Sequence, residues 1–284
     1  MKNLTGIYWI KDEARYIPEY VEFHLLQGFD HFIFYDNNSK DNLLEVISPY
    51  IEQGLVEIRK YPTYVNNRHN FWLMDHCNNE QKGKSKWVHY HALDERLFCP
   101  DGRKVTDLLT EYENYGGLAV AWIFFNSSGH EARPEGLVID NFTTALEDPE
   151  YHIKTIVQTE YVTCDIGCPH NFRYNSGRYS VDEKFNQVGD AFNPSFYSYD
   201  KIKLHHYVTM SKEEFEIKMN KGLLDIQGLE NIRRPSAEKQ WNDMHNPNNV
   251  FYHNTDLQVY SEAIKKNIRD RYIGREHLLQ FINH

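Results

Sequence analysis

At 284 residues the chain is long enough for one large α/β domain or two small ones. A formal net charge of −10, with no run of lysine or arginine, argues against nucleic acid or an anionic membrane surface as the main partner. The four cysteines form no disulfide framework, the N-terminus carries no secretory apolar region, and no apolar stretch of about 18 residues occurs. The expectation is a soluble, cytoplasmic chain, peripheral at a membrane at most, unless an anchor belongs to a longer parent.

Leu4 to Ile10 reads as a first strand, ending on the charged group Lys11, Asp12 and Glu13. Ile17, Tyr20, Val21, His24 and Leu25 then share one helical face, which Gly28 terminates; His24 reads as a packing histidine. Phe32 to Tyr35 is a buried strand that stops on Asp36-Asn-Asn-Ser-Lys-Asp41. Ligands of open α/β sheets bind beyond the carboxyl ends of strands, and Asp36, Asn38, Ser39 and Asp41 offer acceptors for ribose hydroxyls and a base edge. The plainer reading is a polar turn that caps the next helix. That helix carries Leu43, Leu44, Val46 and Ile47, with Pro49 expected to open a fresh turn. A third strand over Leu55 to Tyr61, a polar helix over 68–82 and a fourth strand over Lys86 to Tyr90 come next, the last leading into His91-Ala-Leu-Asp-Glu95. Such alternation predicts an α/β fold with a mostly parallel central sheet and helices on both faces.

Beyond residue 100 the pattern loosens. Leu118 to Phe125 is a strong strand, followed by Asn126-Ser-Ser-Gly-His130. Residues 140–200 are rich in Tyr, Asn and Gly, with short strands such as Thr155 to Gln158, as binding surfaces and lids tend to be. Lys203 to Val208 is another strand, Ser211 and Glu214 make a capping box, and an amphipathic helix from about Asp256 runs to the end. With no repeat or linker in view, a single domain over 1–284 is expected.

The G-x-G-x-x-G, P-loop, H-E-x-x-H and G-x-S-x-G motifs are absent. What remains is the carboxylate pair Asp94 and Glu95 after a strand, and the pair His205 and His206. A nucleoside diphosphate brings about two to three negative charges, and without a basic loop a divalent cation is the natural neutraliser. Asp94 with a distant histidine would suit Mn²⁺ (or Mg²⁺). A helix cap for Asp94, and a strand with one histidine in and one out, explain the same residues. Cys164, Cys168 and His170 make a weak zinc signal, and buried free cysteine is the simpler reading.

Residues 7–61, with Lys11-Asp-Glu13, Glu19, His24, Gly28, Tyr35-Asp-Asn-Asn-Ser39, Asp41, Pro49-Tyr50 and Gly54, resemble the start of the family 92 glycosyltransferases. Trp87 to Pro100 resembles that family's D-x-D-E segment, Trp122 to Gly136 its W-x-x-F-x-x-x-G-H region, and His206-Tyr207 through Ser211 to Lys218 its late H-Y-x-x-x-S motif. The resemblance implies a GT-A fold: a nucleotide-binding half over 1–100, a sugar and acceptor half over 101–220 and a C-terminal helical extension over 221–284. It further implies a UDP-sugar donor, often UDP-galactose, a Mn²⁺-type cation, inversion at the anomeric carbon, and a glycan, polysaccharide or glycolipid acceptor. By position, Asp12, Asp36, Asn38 and Asp41 would hold uridine and ribose. Asp94 and His206 would hold the metal, and Trp122 and His130 would line the sugar side. Glu131, Glu135 and Asp140 are the candidate bases. The chain departs from the pattern where the first Asp of D-x-D becomes Ala92 and Arg96 replaces an aromatic. Two readings result: an active transferase, or a nucleotide-sugar or carbohydrate-binding protein that has lost its chemistry. A nucleotidyltransferase on the same plan lacks its phosphate loop.

Overall fold

The computed structural model describes residues 1–61, 69–90, 92–147, 152–163, 170–189, 198–222 and 232–281. Strands β1 (Lys2–Ile10), β2 (His31–Asp36), β3 (Val56–Lys60) and β4 (Ser85–Tyr90) lie parallel in the order β3-β2-β1-β4. Helices α1 (Ile17–Leu26), α2 (Leu43–Glu52) and α3 (His69–Gln81) connect them. Side-chain alternation sends Tyr8, Phe32 and Phe34 to one face, against Tyr20, Phe23, Val46 and Ile47 of α1 and α2. Ile7, Ile33, Tyr35 and Val88 point the other way, onto Met74 and Cys77 of α3. Burial on both faces is why these strands read as continuous apolar runs. This is the mostly parallel α/β sheet with helices on both faces that the alternation predicts.

Two local expectations change. Pro49 sits inside α2. Proline cannot donate to the carbonyl of residue 45, but the Ser48 hydroxyl does, at 2.8 Å, so the helix continues. Secondly, Glu95–Phe98 is a strand, β5, so the alternative reading of Asp94 as a helix cap does not hold.

The second half contributes α4 (Val105–Leu108), β6 (Gly117–Phe124), α5 (Val138–Asn141), β7 (Thr144–Leu146), β8 (Ile153–Gln158), β9 (Ser180–Val181), β10 (Gln187–Val188) and β11 (Lys203–His206). Strand β8 joins β4 and β6 antiparallel, and β11 lies antiparallel to β5 and parallel to β6. The chain continues through α6 (Lys212–Asn220), α7 (Ala237–Met244), β12 (Phe251–His253), which pairs with β7, and α8 (Ser261–Arg271). The helix expected to run to the end breaks after Arg271, where Gly274 takes φ of 78°. Helix α8 packs back on the first half: Arg271 Nε is 2.9 Å from Glu22 Oε1, and the Tyr272 hydroxyl donates to Val46 O at 2.5 Å.

A buried ion pair ties three segments together. Arg96 Nη2 lies 3.0 Å from Glu19 Oε1, with both side chains excluded from solvent. Arg96 Nη1 also donates to Leu93 O and Glu95 O, at 2.8 and 3.0 Å. Glu19 Oε2 accepts the Val138 N–H at 2.7 Å, at the start of α5. Burial pushes the Glu19 carboxyl up, and Arg96 and these N–H groups oppose that shift. The arginine that departs from the family pattern therefore has a structural partner. Glu19→Ala should lower the unfolding free energy by about 3–5 kcal/mol, because it leaves a buried guanidinium uncompensated. Urea unfolding followed by circular dichroism checks this, and a loss below about 1 kcal/mol, the range of exposed pairs, would contradict it.

Candidate active site

A cavity of about 560 Å³ opens beyond the carboxyl ends of β1 and β4. Its walls are the Asp12–Tyr16 segment, the Ala92–Glu95 turn, Trp122, the His206–Met210 segment and the inner face of α6. Strand pairing assembles its centre. In register, His206 of β11 faces Glu95 on one side and Phe124 on the other. Neighbouring residues on a strand point oppositely. His205 accordingly packs between Phe98 and Phe125, with ring centroids 4.8 and 4.6 Å away, while His206 turns to the cavity beside Trp122 at 4.7 Å. His206 Nε2 is 3.4 Å from Asp94 Oδ2, and its Nδ1 is buried with no hydrogen-bond partner among the described residues.

The chain then turns so that Tyr207 N donates to Asp94 O at 2.8 Å. Ser211 and Glu214 form the expected capping box and set the phase of α6. Lys218, two turns on, places Nζ 2.5 Å from Asp94 Oδ2 and 3.1 Å from Val208 O. Burial raises the Asp94 carboxyl, but Lys218 and His206 outweigh it and hold Asp94 well below the usual carboxylate range. Glu95 has a different task. It accepts from Ala92 N at 3.0 Å and from Trp122 Nε1 at 2.8 Å, fixing the turn and the indole together.

At the other end, carboxylates stitch two loops. Asp36 accepts from Ser39 N at 2.9 Å, the Ser39 hydroxyl accepts from Asp12 N at 3.0 Å, and Asp12 accepts from Lys40 N at 2.6 Å. Asp41 accepts from Ala14 N at 2.9 Å. Asp12 and Asn38 hold left-handed backbone, with φ of 51° and 55°, which short polar side chains tolerate. Asp12 and Asp41 line the cavity; Asp36 and the exposed Asn38 do not.

Asp94, His206, Trp122, Asp12 and Asp41 thus converge, and the remaining sequence candidates stand apart. His130 Nε2 is 3.2 Å from Asn141 O, outside the lining. Asp140 is engaged by the Ser261 hydroxyl and by Lys265 at 2.9 Å. Glu131 and Glu135 are exposed and flank Arg133, which does reach the cavity. Cys164 and Cys168 lie outside the described residues, while His170 Nδ1 is 2.9 Å from Ile153 O.

Sequence reasoning missed Trp9 on the wall and a set of cations: Arg15, Arg133, Lys154, Lys218, Lys221 and Arg234. They come from separate segments, so no basic run marks them. The legible signal was Lys218 and Lys221, three apart on one face of a capped helix. They also bear on the metal expected at Asp94 and His206. Among the described residues no group of three His, Cys, Asp or Glu side chains is placed to hold an ion. Ala92 offers no side-chain donor, and an ion on Asp94 Oδ2 would have to displace the Lys218 ammonium. Among the described residues, these donors do not by themselves make up a site for a resident divalent cation.

Residues 4–225 match the model of glycosyltransferase family 92. Glycosyltransferase family 92 protein Os08g0121900 of Oryza sativa subsp. japonica is 27% identical over 233 residues, covering 78% of this chain and 37% of that protein. Galactan β-1,4-galactosyltransferase GALS2 of Arabidopsis thaliana is 23% identical over 111 residues, covering 37% of this chain and 21% of its own length. The chain thus spans well under half of either relative. Among solved structures, residues 1–349 of S. aureus TarS in complex with UDP align with a TM-score of 0.37 at 11% identity, over 86% of this chain and 71% of that one.

Burial holds His24, His89 and His205 neutral, with His205 lowered to about 3. A histidine whose folded pKa is depressed contributes stability in full above its unfolded value of about 6.5 and loses it as pH falls below that. Urea midpoints should therefore drop between pH 7 and pH 5. His205→Leu should flatten part of that drop, although Lys203 and Asp256 remain beside the site. An unchanged pH slope in the variant would contradict the assignment.

Proposed function

The chain belongs to glycosyltransferase family 92, and we propose that it moves a sugar from a UDP-sugar to a hydroxyl of a glycan, polysaccharide or glycolipid, with inversion. UDP-galactose is the first donor to test, since a relative is named a galactan galactosyltransferase. The observation that carries the reading is the cavity itself. It sits at the carboxyl ends of parallel strands, with an indole and carboxylates at one end and converging cations beside Asp94.

In this reading Trp9 supplies a face for the uracil ring, and Asp12 and Asp41 accept from ribose hydroxyls with the lone pairs their backbone partners leave free. Lys218 and Lys221 would meet the diphosphate and stabilise the leaving group as its charge grows. Trp122, held by Glu95, forms a wall against the sugar. Inversion needs a carboxylate within reach of the acceptor hydroxyl, and Glu131 or Glu135, on the Arg133 rim, is the proposed base. Ala92 favours a second reading, in which the site binds a nucleotide sugar without turning it over.

A thermal-shift and calorimetry panel tests the proposal. UDP and UDP-galactose should stabilise the protein, by about 2.7 kcal/mol at 100 times the dissociation constant. Trp9→Ala should weaken UDP by about 1–3 kcal/mol, the usual loss of one base–aromatic stack. No stabilisation by any nucleotide sugar would overturn the reading, and binding without transfer or hydrolysis would select the second. If the base lies on the rim, Glu131→Gln or Glu135→Gln should reduce kcat by about 100-fold or more with UDP affinity unchanged. Full activity in both variants would remove the rim from consideration.

A further inference from the structure

We propose that Lys218 takes the place of a divalent cation in this cavity, so that a nucleoside diphosphate is bound and neutralised by side chains without metal. The inference rests on the nucleotide-sugar reading above and concerns how that site handles charge. Lys218 Nζ stands 2.5 Å from Asp94 Oδ2, with His206 Nε2 3.4 Å from the same atom. An ammonium has three N–H donors. Asp94 and Val208 O take two, which leaves the third for a phosphate oxygen.

The ammonium is held in place rather than placed by chance. The capping box fixes the helix, the Val208 carbonyl fixes the tip, and Asp94 is itself fixed by Tyr207 N on its carbonyl. Lys221 comes next on the same side of the helix, its Nζ donating to Lys11 O at 2.6 Å and Asp12 O at 3.0 Å. These two ammonium groups, each beside a carboxylate, act with Arg133 and Arg234 of the same wall against the roughly two to three charges of a diphosphate.

Among the described residues, no carboxylate beside Asp94 is free to rebuild a metal site. Ala92 has a methyl group where the motif has its first Asp. Glu95, the next in reach, spends one oxygen on Ala92 N and the other on Trp122 Nε1, and lies 3.7 Å from Lys154. Swinging Glu95 toward an ion would release a buried indole N–H and a backbone N–H together, which is unfavourable. Glu13, also on the cavity wall, is 3.8 Å from the Lys221 ammonium.

Isothermal titration of UDP into the protein, in EDTA and then in Mn²⁺, tests this, with Lys218→Ala alongside and its melting temperature as a folding control. Wild-type affinity should be the same in both buffers. Lys218→Ala should lose about tenfold or more in EDTA, the scale of one charge-assisted hydrogen bond, and regain it with Mn²⁺ once Asp94 and His206 are released. Titration of Mn²⁺ alone should give no heat with the wild type, since the ion needs phosphate oxygens to complete its shell. If wild-type protein binds UDP only with Mn²⁺, or if the variant matches it in EDTA or gains nothing from Mn²⁺, the substitution of lysine for metal is wrong while the nucleotide site stands. No UDP binding by the wild type in either buffer would remove both.

Discussion

Strand β11 is four residues long, yet the centre of the cavity depends on where it lies. It fits between β5 and β6, bonding antiparallel to one and parallel to the other, and so brings residue 206 beside residues 95 and 124. Because side chains alternate, a slip of one residue would put His205 into the cavity and His206 into the core. The apolar wall of Phe98 and Phe125 on one side, and Trp122 and Asp94 on the other, makes the observed register the one that buries a neutral ring and leaves a polar one exposed to charge. The segment C-terminal to β11 inherits that register. Tyr207 locks onto Asp94, the Ser211 cap starts α6, and Lys218 arrives at Asp94 as a consequence.

The same turn is held from below by the Glu19–Arg96 pair. Arg96 uses one guanidinium nitrogen on Glu19 and another on the carbonyls of Leu93 and Glu95, the residues on either side of Asp94. A pair this deep is weak as a source of net stability, since desolvating both ions offsets their attraction. Its value here is geometric: it fixes the backbone that presents one carboxylate to the cavity and turns the next toward Trp122. Stability and site geometry therefore meet in a single interaction, with helix α5 as a third party through the Val138 N–H.

Much of the fold is legible in the sequence where its signals are local. The continuous apolar run of β2, Gly28 after α1 and the Ser211–Glu214 box each depend on neighbours in the chain, and each appears where the residues predict it. Pro49 misleads because its compensation, a serine hydroxyl one residue earlier, outweighs the rule that proline breaks helices. Strand β5 escapes a sequence reading because four residues are too few for a period, and its partner β11 lies far away along the chain. The basic side of the cavity is invisible for the same reason: Arg15, Arg133, Lys154, Lys218 and Arg234 share no segment, and only folding puts them around one space. Asp36 shows the opposite limit. Its position at a strand end is plain from the residues, but which way its carboxylate faces is settled by Ser39 N, a contact that composition and spacing do not reveal.

Ala92 and Arg96, four residues apart, are the two departures from the family pattern, and the structure treats them differently. Arg96 faces inward and is satisfied there, so its presence says something about packing under the turn and little about chemistry. Ala92 faces the cavity, and its loss of a carboxylate changes the charge that any anionic ligand meets. Removing one negative group beside Asp94 leaves a single carboxylate facing Lys218 and His206, which is the balance a lysine can meet alone. With two carboxylates there, a +1 ammonium would leave net negative charge next to a diphosphate, and a divalent ion would be favoured. In the proposed lysine-for-metal site the alanine and the lysine are thus two halves of one electrostatic arrangement, in which the carboxylate count sets the tilt between metal and ammonium.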